Sequence, residues 1–227
     1  MDNTNKRVLI TGASGMVGGL LQDLALEDAG VDTVVSLVRR LSGKSHPKLM
    51  EIVIDDFLNY SAHMDELSKV DVVFYCLGVY TGAVPAEQFR AITVDYPVKL
   101  ASALASVNPK ITFCLLSGSG ADRSEKSKLM FARDKGAAEN QIDALGFGQF
   151  YAFRPGYIYP SVPRKEPNFS YRVTRAFYPL IKLFGKRYSI TSAALAEAIF
   201  FTAMQGYEGT TLENIHIHSQ SQKAQQR

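Results

Sequence analysis

Tryptophan is absent from this sequence of 227 residues, which contains only two cysteines and four histidines. Two cysteines cannot stabilise a disulfide-rich scaffold, and no group of histidines and cysteines has the spacing of metal ligands, so we expect no metal site. No apolar run reaches about 18 residues, the length that a membrane-spanning helix needs. The 25 basic and 22 acidic residues leave a net charge of only +3, too small to indicate nucleic-acid binding. These absences argue against a small secreted module, an integral membrane protein and a nucleic-acid-binding protein.

The start of the sequence gives no sign of export. Residues Met1 to Lys6 are polar and lead directly into an apolar segment, so we expect no signal peptide. Cys76 and Cys114 each end a predicted strand, where a reduced thiol packs as a small apolar side chain; a redox pair is the alternative if the two strands are neighbours. We therefore expect a cytoplasmic protein.

Apolar segments suited to strands alternate with segments suited to helices. Strands are predicted at 7–10, 33–38, 51–54, 70–76, 111–116 and 149–153, and helices at 14–27, 86–105 and 126–145. Near-continuous apolar strands separated by helices indicate a parallel sheet that is covered on both faces. We predict an α/β fold in which a doubly wound parallel sheet forms one domain over residues 1–227, with ligands bound at the carboxyl ends of the strands.

The alternation is lost after Pro160, where we predict a small substrate lobe over residues 157–190. Seven residues of 164–187 are basic and one is acidic, and residues 172–184 have the apolar spacing of a helix. Two interpretations stay open: a lid helix with solvated basic residues, or a basic amphipathic helix that contacts a membrane surface or a partner. A helix beginning near Ile190, a strand at 212–217 and a frayed tail at 219–227 complete the prediction.

A glycine-rich turn joins the first predicted strand to the first predicted helix. The segment Thr11-Gly12-Ala13-Ser14-Gly15-Met16-Val17-Gly18 has glycine at every third position. Small residues let a phosphate approach the backbone, and the start of the helix supplies free N–H groups and the positive end of a dipole. The sequence predicts nucleotide binding here, although an ordinary tight turn is the simpler alternative. The residues expected to bind are Gly12, Ser14, Gly15, Met16 and Val17.

Arg39 and Arg40 follow the second predicted strand. An acidic residue at this point would accept hydrogen bonds from the ribose of NAD, whereas a guanidinium can pair with a 2′-phosphate. The pattern therefore favours NADP over NAD as the cofactor, and two solvated surface arginines are the alternative.

The glycine spacing after Thr11 resembles that of the short-chain dehydrogenase/reductase superfamily, in its extended and atypical branches. Segments 115–122 and 153–158 resemble the atypical, epimerase-like group, so the matching motifs cover about residues 7–160. The resemblance implies a Rossmann domain that binds NAD(P) and moves a hydride between the nicotinamide and a carbonyl or an alcohol.

The resemblance also implies cofactor contacts at the ends of later strands. It implies that Asp56 and Phe57 meet the adenine ring, although a simple turn carboxylate is the alternative for Asp56. It further implies that the turn Cys76-Leu77-Gly78 lines the cofactor. The turn of Pro155 and Gly156, with Ile158 after it, is expected to meet the nicotinamide.

The chemistry of the superfamily uses a serine, a tyrosine and a lysine, the last two being four residues apart on one helical face. Lys135 stands at the lysine position, which implies a contact with the ribose. Phe131 stands at the tyrosine position, and a phenyl group cannot donate or accept a proton. Ser117 is the first candidate for the serine and Ser119 the second, because Gly118 separates the usual pair; ordinary loop residues are the alternative for both.

Two functional hypotheses follow. The first is an NADP-dependent oxidoreductase acting on a small-molecule carbonyl, with Lys135 at the ribose and Ser117 or Ser119 at the substrate oxygen. Tyr80, Tyr157 or Tyr159 could replace the missing hydroxyl if one of them lies beside Lys135, because a phenol with a pKa of about 10 needs a neighbouring cation to act near neutral pH. The second is a catalytically inactive dinucleotide-binding regulator or scaffold for a protein partner. A sugar-nucleotide epimerase fits less well, since the C-terminal lobe is short. The sequence leaves homodimer formation open.

Overall fold

The computed structural model describes residues 5–162 and 187–226. The strands are β1 (Lys6–Thr11), β2 (Val31–Val38), β3 (Leu49–Val53), β4 (Val72–Tyr75), β5 (Thr112–Leu116), β6 (Gln149–Arg154), β7 (Tyr157–Tyr159), β8 (Ser189–Thr191) and β9 (Thr211–Glu213). The helices are α1 (Met16–Glu27), α2 (Met64–Leu67), α3 (Ala86–Arg90), α4 (Tyr96–Val107), α5 (Met130–Asp143), α6 (Ser192–Gln205) and α7 (Asn214–Ala224). A 3-10 turn (Ser61–His63) precedes α2, and a π-helical segment (Ala91–Asp95) joins α3 to α4.

Seven of these strands form one sheet in the order β3-β2-β1-β4-β5-β6-β9. Every neighbouring pair in it is parallel. The chain winds outward from β1 to β3 and then in the opposite direction from β4, which places the switch point between β1 and β4. This confirms the predicted doubly wound α/β fold. Strands β7 and β8 pair separately, also in parallel.

The apolar strands are buried because helices cover both faces of the sheet. On one face, side chains of α1 and α6 such as Leu21 and Ile199 pack against Val8 and Ile10. On the other face, Leu100 of α4 and other apolar residues pack against the strand side chains that point away from α1 and α6. Since successive residues of a strand point to opposite faces, strands with two covered faces need apolar residues at nearly every position.

The C-terminal prediction of a strand over 212–217 is wrong. The strand ends at Glu213 and α7 begins directly after it. Glu213 and His216 form a capping box, in which the backbone N–H of Glu213 donates to Nδ1 of His216 at 3.3 Å. Residues 215–218 alternate isoleucine and histidine, which is the period of a strand, but the capping box and the buried face of α7 favour a helix.

The tail is also not frayed within the described residues. The helix continues to Ala224, and Gln220 and Ser221 are buried on it. Ser221 and Gln225 both donate hydrogen bonds to Oε2 of Glu197 in α6. Polar composition alone therefore misled the prediction, because these polar side chains find partners on a neighbouring helix.

Only the ends of the predicted lobe, residues 157–162 and 187–190, are described. The predicted helix at 172–184 and most of the basic segment at 164–187 lie outside the described residues. Within the described residues, none of the helices combines the length and the apolar character needed to cross a membrane. The same part of the chain brings no three His, Cys, Asp or Glu side chains together as a metal site.

Candidate functional site

The predicted glycine turn lies at the carboxyl edge of the sheet, between β1 and α1. Gly12 has a φ of +74°, and a Cβ there would lie 2.7 Å from the carbonyl oxygen of Cys76. A Cβ on Gly18 would lie 2.3 Å from the carbonyl oxygen of Gly12, so both positions require glycine. No side chain caps the first turn of α1, whose N-cap is Gly15. Two close approaches between backbone segments therefore fix the shape of the turn, and the first amide groups of α1 have no side-chain cap.

One pocket, of about 610 Å³, lies on the β2 side of this turn. The predicted residues that line it are Gly12, Ser14, Arg39, Arg40, Phe57 and Leu77. The ring of Phe57 stacks on Tyr96 at 5.6 Å between centroids, which fixes one apolar wall. Asp56 lines neither this pocket nor the one described next, and its carboxylate accepts a hydrogen bond from the backbone N–H of Leu58.

A second cleft, of about 540 Å³, lies on the β5 and β6 side of the glycine turn. It brings together predicted residues from five separate stretches of the chain. These residues are Gly15, Met16, Val17, Cys76, Leu77, Gly78, Ser117, Ser119, Lys135, Pro155, Gly156 and Ile158. Gly15 to Val17 belong to the turn and α1, and Leu77 lines both cavities, so the two lie side by side along the carboxyl edge of the sheet.

Among the described residues that line the second cleft, Lys135 is the cation. Its Nζ donates a hydrogen bond to the carbonyl oxygen of Leu116 at 3.1 Å. Burial disfavours the charged ammonium and lowers the pKa of Lys135 to about 8, while the nearby Glu139 carboxylate acts in the opposite direction. Lys135 thus holds its proton near neutral pH but releases it more readily than an exposed lysine.

The two cysteines are free thiols. In the register between β4 and β5, Cys114 lies opposite Phe74. Phe74 is two residues before Cys76 in the sequence. Burial raises the pKa of the Cys76 thiol to about 12, so this side chain lines the cleft in its neutral form.

The two candidate serines have different surroundings. The hydroxyl of Ser117 is buried and donates to Oε1 of Glu139 at 2.5 Å. Glu139 is fully buried and accepts two further hydrogen bonds from Arg154, at 3.0 and 2.5 Å. Ser119 is exposed in the same cleft, and its backbone N–H donates to the carbonyl oxygen of Pro155 at 2.9 Å. The hydroxyl proton of Ser117 is committed to a carboxylate, whereas the side chain of Ser119 faces solvent.

The ring of Phe131 lies against Gly118, where a Cβ would be 2.5 Å from Cζ. Phe131 lines the cleft one helical turn before Lys135, as the spacing predicts. Of the three alternative tyrosines, Tyr80 and Tyr157 line this cleft, while Tyr159 does not.

The turn at Pro155 and Gly156 is fixed by residues that the sequence did not indicate. The backbone N–H of Gly156 donates to Oδ1 of Asn214 at 2.9 Å, and the side-chain amide of Asn214 donates to the carbonyl oxygen of Ser189 at 3.0 Å. Nε2 of His218 lies 2.8 Å from the same oxygen. The first turns of α7 therefore hold the Gly156 turn against β8. No sequence signal indicated this, because the region was predicted to be a strand.

Residues 8–205 match the family described as NAD dependent epimerase/dehydratase. The chain belongs to this family. This agrees with the resemblance to short-chain dehydrogenases/reductases in the glycine turn, and it confirms the predicted superfamily.

Two relatives share about a third of their residues with this chain over the matched region. The mitochondrial protein fmp52 of Aspergillus clavatus is 31% identical over 157 residues, covering 66% of this chain and 66% of its own length. The mitochondrial protein FMP52 of Debaryomyces hansenii is 34% identical over 153 residues, covering 66% of this chain and 65% of its own. The match thus spans just under two thirds of these relatives.

Both relatives are named as mitochondrial proteins, so the expectation of a cytoplasmic location is wrong. That expectation was drawn from the polar residues Met1 to Lys6, and a polar segment of this kind does not by itself identify a compartment.

Among solved structures, the chain is similar to the Bordetella bronchiseptica enzyme WbmH in complex with NAD+. The TM-score is 0.66 at 17% identity, and the match covers 92% of this chain and 75% of WbmH. At this identity the similarity shows a shared fold.

Proposed function

We propose that this protein binds NADP and transfers a hydride between the nicotinamide and a small-molecule carbonyl or alcohol. The observation that carries the proposal is the arrangement along one sheet edge of an arginine-lined pocket, the glycine turn and the Lys135 cleft. An extended dinucleotide cofactor has its parts in the same order, which is adenosine, diphosphate and nicotinamide riboside. Family membership supports the cofactor class, since the family is described as NAD dependent.

Each part of the cofactor has a counterpart among these residues. Arg39 and Arg40, which line the first pocket, would pair with a 2′-phosphate, and the amide groups after Gly15 would bind the diphosphate. Lys135 would hydrogen-bond the nicotinamide ribose from its position beside Leu116. NADP rather than NAD is favoured because the pocket has arginines where an acidic residue would otherwise accept from the ribose.

When bound, the nicotinamide supplies or accepts the hydride. Ser119 would donate a hydrogen bond to the substrate oxygen, because its side chain is exposed in the cleft. Ser117 would influence the site through Glu139, because its hydroxyl donates a hydrogen bond to that carboxylate. Phe131 has no proton to give, so proton transfer depends on Lys135 or on a tyrosine such as Tyr80 or Tyr157 that lines the same cleft.

A second candidate function rests on Phe131 itself. Without a phenol at this position, the protein can keep its dinucleotide cleft and still fail to turn over, acting instead as a regulator or scaffold for a protein partner. The two candidates share cofactor binding and differ in hydride transfer.

Calorimetric titration with NADPH and separately with NADH tests the shared step. We expect micromolar binding of NADPH and much weaker binding of NADH; binding of neither would overturn both candidates. A panel of aldehydes and ketones is then added in the presence of NADPH, and oxidation of NADPH is followed as a loss of absorbance by its reduced nicotinamide. This measurement separates the oxidoreductase from the regulator. Turnover supports the oxidoreductase, and NADPH binding without turnover by the wild type supports the regulator.

The relatives named above also support a mitochondrial location for this chain. Fractionation of cells that express the full-length protein would test it. Recovery in the mitochondrial fraction is the expected result, and recovery in another fraction would contradict the similarity argument.

A further inference from the structure

A third cation, absent from the sequence prediction, lines the arginine pocket. Lys44 lies in the loop between β2 and β3 and lines this pocket together with Arg39 and Arg40. Its Nζ donates to Oε1 of Gln22 at 3.2 Å and to Oδ1 of Asp23 at 3.0 Å, both in α1. The loop therefore folds back onto α1 and brings the amine to the wall of the pocket.

Gln22 is a buried polar side chain that fixes the position of Lys44. It is 2% exposed, and its Nε2 donates to the buried hydroxyl of Ser36 in β2 at 2.7 Å. Because the amide nitrogen is used by Ser36, the amide oxygen is left to accept from Lys44. A chain of hydrogen bonds thus runs from the interior of the sheet to a loop lysine that would otherwise sample many rotamers.

The ion pair between Lys44 and Asp23 is an exchangeable contact. The two side chains are about half exposed, and an exposed pair of this kind contributes little to stability. If a phosphate dianion binds in the pocket, it would replace the Asp23 carboxylate while Gln22 keeps its contact with the amine. Glu51 is the carboxylate among the described lining residues, and one of its oxygens accepts from the backbone N–H of Ser42. With Asp23 included, three cations stand against two carboxylates among the described residues at the pocket.

We propose that Lys44 is a specificity-determining residue for the 2′-phosphate, completing a three-cation site with Arg39 and Arg40. The inference rests on the proposed function, because it concerns the same cofactor. The amine supplies a charge to the phosphate, and the buried Gln22 sets where that charge lies. Lys44 therefore discriminates between dinucleotides with and without the phosphate, rather than strengthening the binding of both.

The loop offers a matched control. Lys48 has the same charge and lies four residues further along, but its Nζ donates to the carbonyl oxygen of Asp28, and it does not line the pocket. The Lys44→Gln and Lys48→Gln variants are titrated calorimetrically with NADPH, NADH, 2′,5′-ADP and 5′-ADP. We expect Lys44→Gln to weaken the binding of NADPH and of 2′,5′-ADP about tenfold and to leave the affinities for NADH and 5′-ADP unchanged. Lys48→Gln should change none of them.

Equal weakening of both ligand classes by Lys44→Gln, or an equal effect of Lys48→Gln, would overturn the inference. Lys44→Arg keeps the charge and should retain most of the preference; thermal unfolding of each variant checks the fold. Because 2′,5′-ADP has no nicotinamide, Lys44-dependent binding of this probe without any turnover supports the phosphate site while the hydride-transfer proposal fails. A wild-type protein that binds neither 2′,5′-ADP nor NADPH contradicts both.

Discussion

The tip of the Phe131 ring lies on the backbone of Gly118, with 2.5 Å between Cζ and the position that a Cβ at 118 would take. The ring can lie there because residue 118 has no side chain. A hydroxyl group on Cζ would extend in the direction of the ring tip, so a tyrosine must tilt away from Gly118 to fit. The two residues are therefore matched to each other.

Replacement of Phe131 by tyrosine should create or raise carbonyl reductase activity. The phenol would stand one turn before Lys135, whose charge lowers its pKa, and a positioned general acid contributes about a hundredfold or more. NADPH consumption with a panel of carbonyl compounds measures the gain. Phe131→Leu is the control and should not gain activity. A Tyr variant that folds, binds NADPH and stays at the wild-type rate would contradict the expected role of this position.

Alanine at position 118 should be destabilising because it displaces the Phe131 ring. Overpacking of this kind costs about 1–3 kcal/mol. In a Phe131→Ala background the ring is absent, so the cost of Gly118→Ala should fall toward zero. Urea unfolding of the two single variants and the double variant gives the coupling free energy. Additive costs would show that the contact between the two residues is not the source of the effect.

Lys135 should make stability depend on pH above neutrality. Its pKa is lowered from the ordinary 10.5 to about 8, because burial disfavours the charged form. Below about 8 the lysine is charged in both states, and the full burial penalty applies. Between about 8 and 10.5 the unfolded chain binds the proton and the folded protein does not, so this group's contribution to the free energy of unfolding rises with pH.

The comparison with Lys135→Met isolates this contribution. The stability of the wild type relative to that of the variant should increase between about pH 7.5 and pH 10, as measured by urea unfolding at each pH. NADPH affinity should follow the opposite trend, because the positive charge that faces the anionic cofactor is lost. A difference in stability that stays flat across this range would place the pKa of Lys135 near its ordinary value.

The buried ion pair between Glu139 and Arg154 should matter more than the partly exposed one between Glu213 and Arg154. Glu139 is fully buried, whereas the side chain of Glu213 is 44% exposed. Glu139→Gln leaves the Arg154 charge without its buried partner and should cost about 3 kcal/mol in the free energy of unfolding. Glu213→Gln removes the same charge from the same arginine and should cost under about 1 kcal/mol. Similar losses for both variants would show that burial does not decide the effect.

The parts of the site that could be predicted from the sequence are the ones fixed by strand ends. Apolar strands can be recognised from the residue pattern, and in a doubly wound parallel sheet the turns that follow the strands lie at the same edge. Gly12, Leu77 and Gly156 all follow predicted strands, so their positions along the chain were enough to place them along the same edge, where they line two adjacent cavities. The Lys135 position came instead from the resemblance to the superfamily, whose tyrosine and lysine are four residues apart on one helix.

The remaining parts depend on contacts between distant residues. Lys44 meets Gln22, which lies 22 positions earlier, only because the loop turns back onto α1. The difference between Ser117 and Ser119 depends on Glu139, and local sequence does not show which hydroxyl that carboxylate accepts from. In α7 the local pattern indicated a strand, and capping together with contacts to α6 overrode it.

The strand order also has a consequence for synthesis of the protein. β1 pairs with β2, and β2 with β3, so the three strands on the side of the arginine pocket have all been synthesised by residue 53, and Phe57 and Leu77 of its lining follow. The other half needs β4, β5 and β6, and the Gly156 turn waits for Asn214 near the end of the chain. Since a domain generally folds as a unit, the second cleft is completed only after Asn214 has been synthesised, when most of the chain has already emerged.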